Sequence, residues 1–341
     1  MLFLKQNLKH NCRKEFFDML KPIRGTWFEF QHHNIPEGKY WNPICRWFTD
    51  EQWEAKVDEI AELGMKYIVL LTTAQVYEDG NRFAYFNTDI YPFFDMGAKD
   101  PMGALLRAAE RNDIKVFVSC GYYGIWNQTV DNMINPEVTA RAFKAMEQLY
   151  AQYGQYKSFY GWYLPDETGI YPYYDDNFIK YVNTYSAFAR TIDPKLKMLI
   201  APYGTNHLIA DDKYVAQLES LDCDIIAYQD EIGVRKSKPE ETPAFYEALR
   251  KAHDKAGRSA LWADMEVFEF EGDVYRSALY AADMERIDRQ IKSISPYVDE
   301  ILIYQYQGMF NKPGTTAYMG HPDSVKLYQD YVAWLEKNGL K

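Results

Sequence analysis

Eight short apolar runs, each followed by room for a helix, constrain this chain more than any other feature. They are Thr26–Phe30 (TWFEF), Tyr67–Leu71 (YIVLL), Lys115–Ser119 (KVFVS), Phe159–Leu164 (FYGWYL), Lys197–Ala201 (KMLIA), Cys223–Tyr228 (CDIIAY), Ala260–Glu266 (ALWADME) and Glu300–Tyr304 (EILIY). Their starts lie 26 to 48 residues apart. Near-continuous apolar runs of this length are the signature of parallel strands buried on both faces. The intervening segments carry helix punctuation. Thr49-Asp50-Glu51-Gln52 reads as a capping box, closed by Gly64. Asp100-Pro101 and Asn135-Pro136 each set a cap residue before a proline at the first helical position. Helices are also expected over Phe178–Ile192, Glu240–Ala256 and Ser324–Leu335. Strand and helix alternating eight times predict one α/β domain, a closed (β/α)8 TIM barrel over residues 24–341, with residues 1–23 as an N-terminal helical extension. A doubly wound open sheet is the alternative, but it would normally show a Gly-rich fingerprint after its first strand, and GTWFEFQHHN is not one.

Composition narrows the function. A chain of 341 residues that is 47% hydrophobic can bury a barrel-sized core. The net charge of −11 disfavours nucleic acid as a partner and fits a neutral or cationic small substrate. Aromatic residues reach 16%, including 29 tyrosines; part of that surplus is core, and part suits a cleft in which sugar rings stack on aromatic faces. Cys12, Cys45, Cys120 and Cys223 form no CxxC pair, so they read as structural thiols. No apolar run is long enough to span a membrane. The N-terminus has no signal-peptide pattern, which makes the cytoplasm the expected compartment, or the periplasm or exterior if a signal peptide has been lost.

Barrel enzymes work at the C-terminal ends of their strands, so the residues that follow each run are the candidates. Glycoside cleavage needs two carboxyl groups flanking one bond, one to protonate the leaving oxygen and one to act as nucleophile or base. Glu167 follows strand four and Glu266 ends strand seven, far enough round the rim to converge across the mouth. Glu167 is assigned as general acid/base, with Trp162 and Tyr163 as neighbours able to desolvate it. Glu266 is assigned as nucleophile; Asp264, Glu269, Glu271, Asp230 and Glu231 are its rivals. The carboxyl separation should be about 5–5.5 Å for retention and about 6.5–9.5 Å for inversion. A glutamate after a strand can instead be a helix cap. The expected sugar-binding set is Glu29, His32, Tyr122, Trp126, Asp166, Tyr203, Asn206, Gln229, Asp230 and Gln305. Glu29 binds a hydroxyl if it points inward and pairs with a surface cation if it points outward. His32 and His33 lie next to each other, and successive strand residues face opposite ways, so they are not expected to chelate one ion, with or without His207. No metal and no cofactor is therefore assigned, and no G-x-S-x-G or Walker A motif is present.

The segments GTWFEFQHHN, FYGWYLPDETG, DIIAYQDEIGV and LWADMEVFEF resemble the DUF4434 family of bacterial TIM-barrel proteins, which are related in appearance to glycoside hydrolases. The resemblance spans roughly Gly25 to Leu335, and GWYLPDE and YQDEIG are its specific parts. It implies the barrel fold and a glycoside-hydrolase-like class more than it implies a substrate. The wider clan it is similar to places its acid/base after strand four and its nucleophile after strand seven, on Glu167 and Glu266. Many clan members carry Asn directly before the acid/base, to hold the sugar 2-hydroxyl; here Asp166 stands there, and an ionised Asp can accept but not donate. Three readings follow: a retaining glycosidase on a neutral glycan, a non-catalytic carbohydrate-binding barrel, or a metal-dependent sugar isomerase or hydrolase.

Overall fold

Closing a barrel requires the last strand to pair with the first, and here it does. The computed structural model describes residues 20–341. Its barrel strands are β1 (Ile23–Phe28), β2 (Tyr67–Leu70), β3 (Lys115–Ser119), β4 (Phe159–Tyr163), β5 (Lys197–Ile200), β6 (Ile225–Gln229), β7 (Ala260–Glu266) and β8 (Glu300–Tyr304). Each pairs in parallel with its neighbour in sequence, and β8 returns onto β1 with Thr26 opposite Ile303. The chain is a single (β/α)8 domain. The extension expected over residues 1–23 falls mostly on 1–19, outside the described residues, and Ile23 already belongs to β1. Among the described residues no helix is long and apolar enough to cross a membrane.

Side-chain alternation divides each strand between two cores. One set, including Trp27, Val69, Phe117, Tyr163, Leu199, Ala227, Trp262 and Leu302, fills the barrel interior. The other, including Phe28, Ile68, Val116, Trp162, Met198, Tyr228, Met265 and Ile303, packs into the outer layer with the helices. Much of the aromatic surplus is therefore structural: Trp27 meets Tyr163 edge-on at 5.9 Å, and Trp262 meets Tyr67 at 4.6 Å. Complete burial of each large apolar side chain contributes about 1.5–3 kcal/mol. Between β3 and β4 the register slips by one residue, and Gly161 sits at the slip, where a Cβ would collide with the Lys197 carbonyl oxygen.

A long helix follows each strand: α1 (Asp50–Glu62), α2 (Pro101–Arg111), α3 (Pro136–Tyr153), α4 (Asp176–Ile192), α5 (Asp212–Ser220), α6 (Thr242–Ala256), α7 (Met284–Ile294) and α8 (Asp323–Lys337), with short helical turns at Asn42–Cys45 and Thr129–Ile134 besides. The Thr49–Gln52 capping box of α1 forms in both directions, and Asp100 and Asn135 cap α2 and α3 through their side chains. Two small hairpins, Ala74–Val76 with Arg82–Ala84 and Phe268–Phe270 with Leu279–Ala281, follow β2 and β7. They raise the rim at the end where the strands finish.

Candidate active site

At that end the rim encloses a cavity of about 550 Å³. Of the expected residues, Glu167, Glu266, His32, Tyr122, Trp126, Tyr203 and Gln229 line it. Glu29, Asp166, Asn206, Asp230 and Gln305 do not, and each is held elsewhere for a visible reason.

Glu167 is anchored at both oxygens. Oε1 accepts from the Tyr163 hydroxyl at 2.7 Å and Oε2 from Gln229 Nε2 at 2.7 Å. Burial pushes its carboxyl up to about 7; the two hydrogen bonds offset part of the rise and the adjacent Asp166 charge adds to it. Tyr163 is thus a hydrogen-bond donor to Glu167 as well as an apolar wall, while Trp162, expected beside it, faces the outer layer against Phe159. Glu167 does not cap a helix, since α4 begins at Asp176 with Asp175 as its cap.

Glu266 reaches the cavity from the end of β7, where Val234 N–H donates to Oε2 at 2.8 Å. Burial drives its carboxyl well up, helped by the neighbouring Asp230 charge. Asp264, two residues earlier on the same inward face and named as a rival of Glu266, also lines the cavity. It has no donor on Oδ1, and burial among Glu167, Glu266 and Asp230 pushes it well up. The alternation that aims Glu266 inward aims Asp264 inward too, so the signal was present.

The other rivals of Glu266 do not line the cavity. Asp230 lies behind the cavity wall, accepting from Gln290 Nε2 at 2.7 Å and Glu266 N at 3.1 Å, and burial raises it to about 6. It positions the backbone that carries Glu266. Glu231 accepts from Gly204 N at 2.7 Å and pairs with Lys236 at 3.2 Å, tying the β5 and β6 loops together. Glu269 pairs with Arg286 at 2.8 Å, and Glu271 joins Lys39 and Tyr40 at the surface. Asp166 accepts from Asn132 at 2.9 Å, and burial takes it to about 7, where its protonated form can donate as an amide would. Asn206 donates to the Lys236 carbonyl at 3.1 Å.

One expectation needs correcting. β1 ends at Phe28, so the strand alternation used to separate His32 from His33 does not apply to them. Their rings meet at 4.7 Å, both line the cavity, and Glu29 lies beneath them. Glu29 points inward: Oε1 accepts from Gln305 Nε2 at 2.7 Å and Trp41 Nε1 at 3.0 Å. His207 is exposed, packed on Tyr171. Lys236 and Tyr275, neither foreseen, also line the cavity; the Lys236 ammonium lies 5.8 Å from the Tyr275 ring.

With the geometry in view, comparison with known proteins is informative. The family model for DUF4434, a domain of unknown function, matches residues 23–317. The chain belongs to the DUF4434 family. Among curated proteins no match is found. Solved structures similar to this DUF4434 chain include a protein from Bacteroides thetaiotaomicron provisionally described as an α-L-fucosidase, with TM-score 0.69 and 16% identity over 94% of this chain and 96% of that one. An endo-β-1,4-mannanase from Thermotoga petrophila aligns with TM-score 0.58 and 11% identity over 94% of this chain and 78% of that one. A family 5 mannosidase from Rhizomucor miehei gives TM-score 0.55 and 12% identity, covering 93% of this chain and 94% of that one. At such identities the likeness is one of fold: this DUF4434 member shares its (β/α)8 barrel with these structures.

Proposed function

We propose that the protein is a retaining glycoside hydrolase acting on a neutral glycan, with Glu167 as acid/base and Glu266 as nucleophile. The observation that carries this reading is that carboxyl groups at the ends of β4 and β7 line one cavity, with Glu167 half-buried and poised near neutrality. Glu266 attacks the anomeric carbon as the glycosidic bond breaks, and Glu167 gives its proton to the departing oxygen. Water then attacks the glycosyl ester, Glu167 takes the water's proton, and Glu266 is released. Crowded buried carboxyls cannot all ionise together. Asp264, with no donor on Oδ1, keeps the proton, whereas the Val234 N–H favours an ionised Glu266. Trp126 and Tyr122, packed around His33 at 4.7 and 5.7 Å, offer the stacking wall. Four carboxyl groups (Glu37, Glu167, Asp264 and Glu266) face the cavity against Lys236, which is already paired with Glu231, and this disfavours anionic sugars.

The test is a panel of aryl glycosides, mannosides and fucosides included, followed by proton NMR of the first-formed product. Retained configuration is expected. Inversion would remove Glu266 as a nucleophile, and saturable sugar binding without turnover would make the barrel a binding protein. Because Asp264 is held neutral, Asp264→Asn should keep kcat within about tenfold of wild type; a loss approaching the general-acid range of about 10²–10⁴ would show that its charge takes part.

A further inference from the structure

Three buried ligand atoms beside the cavity lack a hydrogen-bond partner. Glu29 Oε2, His32 Nδ1 and His33 Nδ1 are each buried without a hydrogen-bond partner. Glu29 and His32 are each 1% exposed, so bulk solvent does not reach them. Buried polar atoms left unpaired cost about 1–3 kcal/mol apiece, so three at one point call for a ligand. Glu29 Oε2 and His32 Nδ1 lie 3.4 Å apart. One ligand atom from each of Glu29, His32 and His33 falls within 4.8 Å of the others.

We propose that Glu29, His32 and His33 form a binding site for a borderline divalent cation of the Zn²⁺ or Co²⁺ class. Two imidazoles and one carboxylate are a donor set that zinc, cobalt and nickel prefer over magnesium or calcium. Bonds of about 2.0–2.2 Å in a tetrahedral site place donors roughly 3.4 Å apart, so the widest edge here must contract by about 1.4 Å, within reach of small side-chain rotations. The surroundings are also those of a metal centre. A ligating histidine usually gives its other ring nitrogen to a carboxylate, which fixes its tautomer. His32 Nε2 lies 3.1 Å from Glu37 Oε2, and Glu37 is in turn held by Asn34 Nδ2. The second oxygen of Glu29 is fixed by Gln305 and Trp41, leaving Oε2 for the ion. Trp41 also stacks on the His32 ring at 5.5 Å, which limits its rotation. Three protein ligands leave a fourth position open, and since His32 and His33 line the cavity, that position faces the sugar site. There the ion could take a water or a pair of sugar hydroxyls.

The test needs no substrate, so its failure is separate from failure of the glycosidase reading. The full chain is stripped with a chelator, dialysed against micromolar ZnSO₄ or CoCl₂, and its metal content measured. About one equivalent per chain is expected, with visible cobalt bands of a four- or five-coordinate site. Glu29→Gln and His33→Ala should lose the ion, Glu37→Gln should weaken it by about 10–100-fold, and His207→Ala should keep it. His33 is only half-buried, so His33→Ala decides the matter if Glu29→Gln misfolds. Wild type that retains under about a tenth of an equivalent, or folded His33→Ala that binds like wild type, overturns the site.

Discussion

Glu167→Gln is expected to lower kcat by about 10²–10⁴ on glycosides with poor leaving groups, and far less on aryl glycosides whose leaving group departs without a proton. The reason is the partial burial of Glu167. Its carboxyl is lifted from an ordinary value of 4.5 to about 7, so near neutrality it still holds the proton that the reaction needs. In wild type kcat/KM should therefore fall as pH rises through about 7, and that limb should vanish in Glu167→Gln. The same shift has a stability sign. The folded state binds a proton more tightly than the unfolded chain, so the favourable contribution is present below the unfolded value and is lost as pH rises through the folded one. A rise from 4.5 to about 7 corresponds to on the order of 3 kcal/mol above pH 7. Glu167→Gln should accordingly melt higher than wild type at pH 8 and show little gain at pH 4.5. Gln cannot ionise and keeps an acceptor oxygen and a similar shape. Wild-type rates in Glu167→Gln would remove it as acid/base, and an unchanged melting difference between the two pH values would show that its carboxyl titrates normally.

The barrel was legible because its strands are bounded chemically. KVFVS, ALWADME and EILIY form over the expected residues, since each apolar run ends where polar loop chemistry begins. β1 was displaced because TWFEF continues the apolar run while pairing with β2 ends at Phe28 opposite Leu70. That displacement hid the His32–His33 cluster. Glu167, Glu266 and Gln229 could be read from strand position alone. Asp230 could not be excluded in that way, because its partner Gln290 is 60 residues away on α7 and decides that it is a buried support instead of a cavity group. Lys236 and Tyr275 come from loops whose conformation has no periodic signal in the sequence, so only the fold brings them to the wall.

Glu59→Ala should cost about 3–5 kcal/mol, because it leaves Lys56 charged, buried and unpaired. Lys56 lies wholly inside, with its ammonium 2.8 Å from Glu59 Oε2 and 3.0 Å from Asn311 Oδ1. Burial already lowers its pKa, and the Glu59 carboxylate is what opposes that. Glu59 also accepts from the Tyr306 hydroxyl at 3.0 Å and from the Thr315 hydroxyl, so one carboxylate joins α1 to the segment after β8. That segment also closes the barrel: Tyr306 N donates to Thr26 Oγ1 of β1 at 2.8 Å. Denaturant melts should therefore show the loss in the cooperative global transition, with Tm falling by on the order of 10 °C. The double change Lys56→Met with Glu59→Leu separates two causes. Removing both charges abolishes the unpaired ammonium but still orphans Tyr306, Thr315 and Asn311, so partial recovery is expected. A double variant no better than Glu59→Ala would mean that the hydroxyl and amide partners carry the cost. A single variant within about 1 kcal/mol of wild type would mean that Lys56 finds water or loses its proton when Glu59 is removed.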